Sequence, residues 1–407
     1  MSRPFATVNV LSGLLMSGLF LSPASSVNAD EMLDQARGIA HRWPLVDTHI
    51  DVPYRLEDQW DDVSEKTNGG DFDYPRAVDG GLTAPFMSIY IPASLEGTGK
   101  SGPLADRLID SMEALVGRAP GKFAMAYNAD DILNQAADGK ISIAMGMENG
   151  APIEGDMKNL HHFYQRGIRY ITLAHSRSNH IADSSYDINR PWKGLSPFGE
   201  EVVKEMNRLG IMIDISHISD KASVAVMDMT KAPVIASHSS VRKYTPGWER
   251  NISDELIKKV GSNGGVVQIN FGSTFVSQAS RAYQEKLGAD RTAFMEANAI
   301  TDQADARLAS FVEDYKNKAP FKYASLDDVL NNFDHVVELV GVEHVGIGSD
   351  YDGVGDSLPI DLKDVSSYPN LIRGLLERGY TEADIKKIMF ENTLRVWKEV
   401  ERVAQEH

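Results

Sequence analysis

Four short apolar runs, each closing on a histidine or a carboxylate, constrain this 407-residue chain more than any other feature. Leu45-Val46-Asp47-Thr48-His49-Ile50-Asp51 closes on a His-x-Asp pair, and Ile143-Ala144-Met145-Gly146-Met147-Glu148 closes on a glutamate. Ile211-Met212-Ile213-Asp214-Ile215-Ser216-His217 and Pro233-Val234-Ile235-Ala236-Ser237-His238 each close on a histidine. A strand that is apolar on consecutive positions is buried on both faces, as in a parallel sheet. A parallel barrel gathers the ends of its strands at one mouth, where donors from several strands can meet around a metal.

The rest of the chain carries the same alternation. Candidate strands lie at 45–49, 86–90, 141–147, 170–174, 211–215, 234–237, 266–269 and 344–348. Amphipathic stretches at 103–116, 157–166, 197–209, 221–229 and 326–339 fall between them. Eight such units predict a (β/α)₈ TIM barrel. The regularity breaks once, in a polar helical insertion over 272–324 between the seventh and eighth strands. At the barrel mouth such a segment is a lid, an oligomer contact or a solvated spacer. Closing helices are expected at 362–378 and 382–403.

Composition narrows the function. A formal charge of −17, with no basic tract, excludes a nucleic-acid surface. Arg3 precedes an uncharged apolar stretch from Val8 to Leu21, broken by Ser22-Pro23 and followed by the small residues Val27-Asn28-Ala29. This pattern predicts a cleavable signal peptide over 1–29, one barrel domain over 30–407, and a periplasmic or secreted protein. The stretch is too short for a spanning helix, and neither a lipidated cysteine nor a glycolipid signal is expected, so no membrane anchor should remain after cleavage. The chain has no cysteine, which removes disulfides, thiolate nucleophiles and sulfur-rich zinc sites. Any metal must be held by nitrogen and oxygen, a set that suits zinc, manganese or iron.

His49 and Asp51 are two positions apart, so on an extended backbone they point the same way and can touch one cation. Glu148 can bridge two cations with its two oxygens. His217 and His238 end consecutive strands and so stand side by side at the rim. The five residues make two overlapping ligand sets sharing Glu148. Paired cations activate a bridging water and polarise the carbonyl that it attacks. No Gly-x-Ser-x-Gly elbow competes, so metal-assisted hydrolysis is the reaction class. His175, Arg250 and Asp350 lie near the remaining strand ends, and Ser253 has the context of a helix N-cap. His161, His162 and His180 lack that context and read as surface or packing residues.

Together these segments resemble the renal (membrane) dipeptidase family of binuclear zinc hydrolases, a branch of the amidohydrolase-like barrels. The resemblance runs in order through Val46-Asp47-Thr48-His49-Ile50-Asp51, Gly146-Met147-Glu148-Asn149-Gly150, Leu173-Ala174-His175-Ser176, Ala182-Asp183-Ser184 and Ile213-Asp214-Ile215-Ser216-His217. It continues through Pro233-Val234-Ile235-Ala236-Ser237-His238-Ser239-Ser240, Arg250-Asn251-Ile252 and His344-Val345-Gly346-Ile347-Gly348-Ser349-Asp350-Tyr351-Asp352-Gly353. It implies two Zn²⁺ per chain, one held by His49, Asp51 and Glu148, the other by Glu148, His217 and His238. It further implies that His175 stabilises the oxyanion, Arg250 binds the substrate carboxylate, and Asp350 relays protons. The implied substrates are small dipeptides, with tolerance for a D-residue at the C-terminal position. An amidohydrolase acting on another small amide or lactam is the alternative. A barrel that binds without turnover is disfavoured by the presence of Asp350 and His175. A homodimer is the assembly left open. Three features depart from the family pattern: the disulfides and glycolipid anchor of the animal enzymes are not expected here, Gly272 stands where a larger residue is expected, and the 272–324 insertion has no counterpart in the animal enzymes.

Overall fold

The structure, a computed structural model, describes residue 1 and residues 29–406; the expected signal peptide lies outside these residues except at its two ends. Among the described residues nine strands form: β1 (Val46–Ile50), β2 (Ala84–Tyr90), β3 (Phe123–Met125), β4 (Ile141–Glu148), β5 (Ile168–Thr172), β6 (Met212–Asp214), β7 (Ile235–Ala236), β8 (Val266–Ile269) and β9 (Val345–Ile347). Eight of them pair in parallel in the order β1-β2-β4-β5-β6-β7-β8-β9. The ring closes just beyond β9, where Tyr351 bridges Ile50. There the Asp51 N–H donates to Tyr351 O at 2.9 Å and the Asp350 N–H to His49 O at 3.0 Å. The architecture is the expected TIM-like barrel.

The differences from the sequence reading have local causes. β3 was not expected: it pairs with β4 outside the ring, and its three residues are too short to carry a pattern. β6 and β7 are shorter than their apolar runs, because the Asp214 side chain accepts the N–H groups of Ser216 (3.0 Å) and Ser237 (2.8 Å). His217 and His238 therefore sit in loops beyond the strands. The expected helix at 362–378 begins only at Tyr368, with Pro369 in its first turn. The one at 382–403 is interrupted by a π turn at Lys387–Glu391. By contrast, the helix Pro197–Leu209 has the bounds its sequence announces. Ser196 accepts the Gly199 N–H, Pro197 opens the first turn, and Gly210 stops it at φ 81°.

The insertion lies between β8 and β9 as helices Ser273–Val276, Gln278–Ala297 and Ala306–Lys318. Its two ends are pinned together where the Ala324 N–H donates to Ser273 Oγ at 2.9 Å. Among the described residues, no helix is long and apolar enough to cross a membrane.

Packing inside the barrel depends on a glycine in β4. Tyr170 of β5 lies across Gly146 of β4 so closely that a Cβ on residue 146 would stand 1.9 Å from its ring. Tyr170 is fully buried and packs against Phe86, which in turn meets Trp397 of the final helix. Gly146→Ala should therefore destabilise the fold by about 1–3 kcal/mol through overpacking. The check is the chemical-denaturation midpoint; an unchanged midpoint would mean that Tyr170 can move freely.

Candidate active site

At the C-terminal mouth of the barrel, four imidazoles surround one carboxylate. His175, His217 and His238 bring Nε2 to 3.3, 3.1 and 3.3 Å from Glu148 Oε1. His49 Nε2 lies 3.5 Å from the other oxygen, Oε2, and 3.4 Å from Asp51 Oδ2. The His217 and His238 Nε2 atoms are 2.8 Å apart. All five sequence-predicted ligands are thus brought together. Donor atoms come within 4.8 Å of one another in three groups: His49, Glu148 and His238; Glu148, His175 and His217; and His49, Asp51 and Asp350. His175 and Asp350 are closer to the ligands than their assignment outside the two ligand sets anticipates.

These residues fit cations. His49 Nε2 is buried with no hydrogen-bond partner, and the donors are all nitrogen and oxygen. Burial, followed by the positive charge of Arg250 and of neighbouring imidazoles, holds His217 and His238 well below the usual histidine range, so both present neutral nitrogens. Burial would raise Glu148, but His175 and His49 outweigh it and keep the carboxyl well below its usual range. For His49, burial is opposed and outweighed by Tyr170, Asp51 and Glu148, which push it well above its usual value. Burial raises Asp350 well above the carboxylate range, and Asp51 and Glu148 add to the effect.

Two buried aspartates hold this mouth together. Asp214 accepts from Thr172 Oγ1, from Ser237 Oγ at 2.7 Å and from the N–H groups of Ser216 and Ser237, tying the ends of β5, β6 and β7. Asp47 accepts from the N–H groups of His49 and Ser349 at 3.0 Å each and from Tyr368 Oη at 2.6 Å, tying β1 to β9. Burial pushes Asp47 up to about 6 in spite of these donors. On the imidazoles, Tyr170 Oη meets His49 Nδ1 at 2.8 Å, and Ser237 Oγ meets His238 Nδ1 at 2.8 Å.

The loops beyond the strands carry backbone strain. His217 and Asp350 have φ values of 66° and 65°, a left-handed conformation costing about 1–3 kcal/mol in a non-glycine residue. Asn270 Nδ2 donates to Asp350 Oδ2 at 2.6 Å and fixes that carboxyl. Gly353 leaves room in front of two carboxylates, since a Cβ there would stand 2.2 Å from Asp51 Oδ2 and 2.3 Å from Asp350 Oδ1. Arg250 is buried beside the histidines. Its Nη1 donates to Ser239 Oγ at 2.9 Å and its Nη2 to His238 O at 2.8 Å, while Nε has no partner. Ser253, as expected, caps the following helix by accepting the Leu256 N–H.

Above the cluster opens a cavity of about 720 Å³, walled in part by Tyr54, Tyr90, Tyr186 and Val354. That volume falls within the range of about 300–1,000 Å³ typical of small-molecule sites. Thr274, Phe275 and Gln284 of the insertion also line it. His161, His162 and His180 lie elsewhere, paired with Glu205, Asp106 and Glu96. Sequence reasoning did not single out Tyr170 or Asn270. Nothing in their local patterns marks them; only the pairing of β4 with β5 and of β8 with β9 brings them to the site.

Comparison with known proteins gives a consistent identity. Residues 33–407 match the model of the membrane dipeptidase family, peptidase family M19. An uncharacterised dipeptidase of Schizosaccharomyces pombe is 33% identical over 382 residues, covering 88% of this chain and 81% of that one. The probable dipeptidase PvdM from Pseudomonas aeruginosa superposes with a TM-score of 0.81 at 28% identity, over 92% of this chain and 100% of that one. A metallopeptidase from Rhodobacter sphaeroides, solved with a phosphinate mimic of the dipeptide L-Ala-D-Ala, shares the fold. Its TM-score is 0.71 at 24% identity, over 88% of this chain and 99% of that one. With the barrel, the buried His/Glu cluster and the family match covering one and the same stretch of sequence, the chain belongs to the membrane dipeptidase family, peptidase family M19, and is a metallo-dipeptidase.

Proposed function

We propose that this protein is an exported dipeptidase that holds two zinc ions and hydrolyses dipeptides, accepting a D-residue at the C-terminal position. The observation that carries this reading is the convergence of four imidazoles on Glu148 beneath a cavity of small-molecule size. His49, Asp51 and Glu148 would hold one ion, and Glu148, His217 and His238 the other. Bound there, two cations supply an activated water and a polarised scissile carbonyl.

The chain's own residues do the rest. Ser237 donates its hydroxyl proton to Asp214, so its lone pair is free to accept from His238 Nδ1–H. That relay fixes the tautomer in which His238 Nε2 offers its lone pair to a cation. His175, with Nε2 turned toward the same carboxylate, stands where it can donate to the oxyanion that develops on the attacked carbonyl. With cations held beside it, Asp350 returns to its carboxylate form, in which it takes a proton from the attacking water and delivers it to the departing amine. Asn270 occupies its Oδ2, leaving Oδ1 for that transfer.

Arg250 binds the free carboxylate of the substrate, a task for which its fork of donors is suited and a lysine is not. Anchoring the backbone carboxylate instead of the side chain leaves the configuration of the last residue open. The L-Ala-D-Ala mimic bound by the Rhodobacter sphaeroides relative is in keeping with this. Export to the periplasm or the medium rests on the apolar stretch Val8 to Leu21 and the small residues after it.

Arg250→Ala should raise KM on dipeptides far more than it lowers kcat. Amidating the substrate's C-terminus should weaken binding to the wild type by a similar factor and to the variant by little more. Equal wild-type rates on free and amidated dipeptides would remove Arg250 from this role.

A further inference from the structure

The insertion is fastened to the segment that carries Arg250. Asn251 Nδ2, next in the chain, donates to Phe275 O at 2.6 Å. Arg281 lies over the Trp248 ring at 4.0 Å, and the Trp248 and Phe275 rings are 5.0 Å apart. The Phe275 ring itself covers the Arg250 guanidinium at 5.2 Å and faces the cavity. A solvated spacer needs none of these contacts.

Gly272 explains how the ring reaches that position. A Cβ on residue 272 would meet Phe275 Cδ2 and Val354 Cγ1, each at 2.9 Å. The space that a side chain at 272 would fill is therefore taken by Phe275 and Val354. The first turn of the insertion, Ser273–Val276, is held at its base where the Ser273 N–H donates to Ser357 O at 2.8 Å. The aromatic wall is thus fixed from both sides, by the Arg250 segment and by the loop after β9.

From this we infer that Phe275, supplied by the insertion, sets the size limit for the substrate's C-terminal side chain. The inference rests on the reading that Arg250 holds the substrate carboxylate. A residue whose carboxylate is at Arg250 must place its Cα within one bond of that carboxylate, so its side chain meets the ring lying over the guanidinium. Small side chains of either configuration fit beneath it, and bulky ones collide. One extra methylene against an apolar wall is discriminated by about 10–200-fold, and a phenyl ring is larger than that.

The test measures kcat/KM for L-Ala-X dipeptides, with X as Gly, L-Ala, D-Ala, L-Leu and L-Phe, on wild type, Phe275→Leu and Phe275→Ala. An amidated L-Ala-Gly is included, and zinc content is determined on each preparation. The wild type should favour Gly and both alanines. Phe275→Ala should raise the rate on L-Phe relative to L-Ala at least tenfold, with Phe275→Leu in between and zinc unchanged. Phe275→Leu keeps apolar cover over Arg250, so it reports on the wall even if the alanine variant folds poorly. If the wild type discriminates against the amide but neither variant changes the order of X, the inference falls and the Arg250 reading stands. If the wild type cleaves free and amidated dipeptides equally, both fall.

Discussion

Glu148→Ala is expected to abolish most dipeptidase activity and to leave the purified protein with less than one metal ion per chain. Glu148 is the only carboxylate among the described residues reached by four imidazoles, three at one oxygen and one at the other. Removing it deprives both ligand sets of their shared anion and leaves several buried nitrogens facing one another. Loss of paired cations forfeits several kcal/mol of charge stabilisation in the transition state, roughly 10³-fold or more in rate. The fold should survive, since Glu148 is the last residue of β4 and the pairing of β4 with β2 and β5 is made by backbone groups. Elemental analysis, kinetics and circular dichroism on one preparation check all three statements. A variant that retains two metals and wild-type turnover would show that Glu148 does not bridge.

Asp350→Asn is expected to lower kcat by about 10²–10⁴-fold, the range of a general acid–base group, while zinc content and KM stay near wild type. The side chain is buried against Asp51 and Glu148 and receives Asn270 Nδ2 at 2.6 Å, so it is held at one place facing the cavity. Its proximity to His49 and Asp51 makes a second outcome readable. Loss of one zinc in the Asn variant would make Asp350 a ligand, and unchanged kcat would reduce it to a brace for the loop after β9. Measuring kcat and zinc on the same sample separates the three.

The barrel was legible because buried parallel strands are apolar without alternation, and because each such run here ends on a polar residue with nowhere to go but the mouth. The same logic places His49, Asp51, Glu148, His217 and His238 together from the sequence alone. It could not reveal where the strands stop. Asp214 looks like one more polar residue in the run Ile211 to His217, yet its side chain takes the backbone N–H groups of Ser216 and Ser237 and ends β6 and β7 early. Nor could the positive φ of His217 or Asp350 be anticipated, since neither is a glycine. The insertion was legible as helices with charged faces, and ion pairs such as Arg281–Glu285 at 2.8 Å bear that out. What the pattern hid was its first turn: four residues, Ser273–Val276, carry no periodicity, although they bring Phe275 onto Arg250.

The central claim is that two zinc ions per chain run a dipeptidase. Its most direct test is a titration of the chelator-treated protein with Zn²⁺, following hydrolysis of L-Ala-D-Ala. The account predicts negligible activity before zinc is added and a plateau reached at two equivalents per chain. Activity that survives chelation, or a plateau at one equivalent, would contradict it.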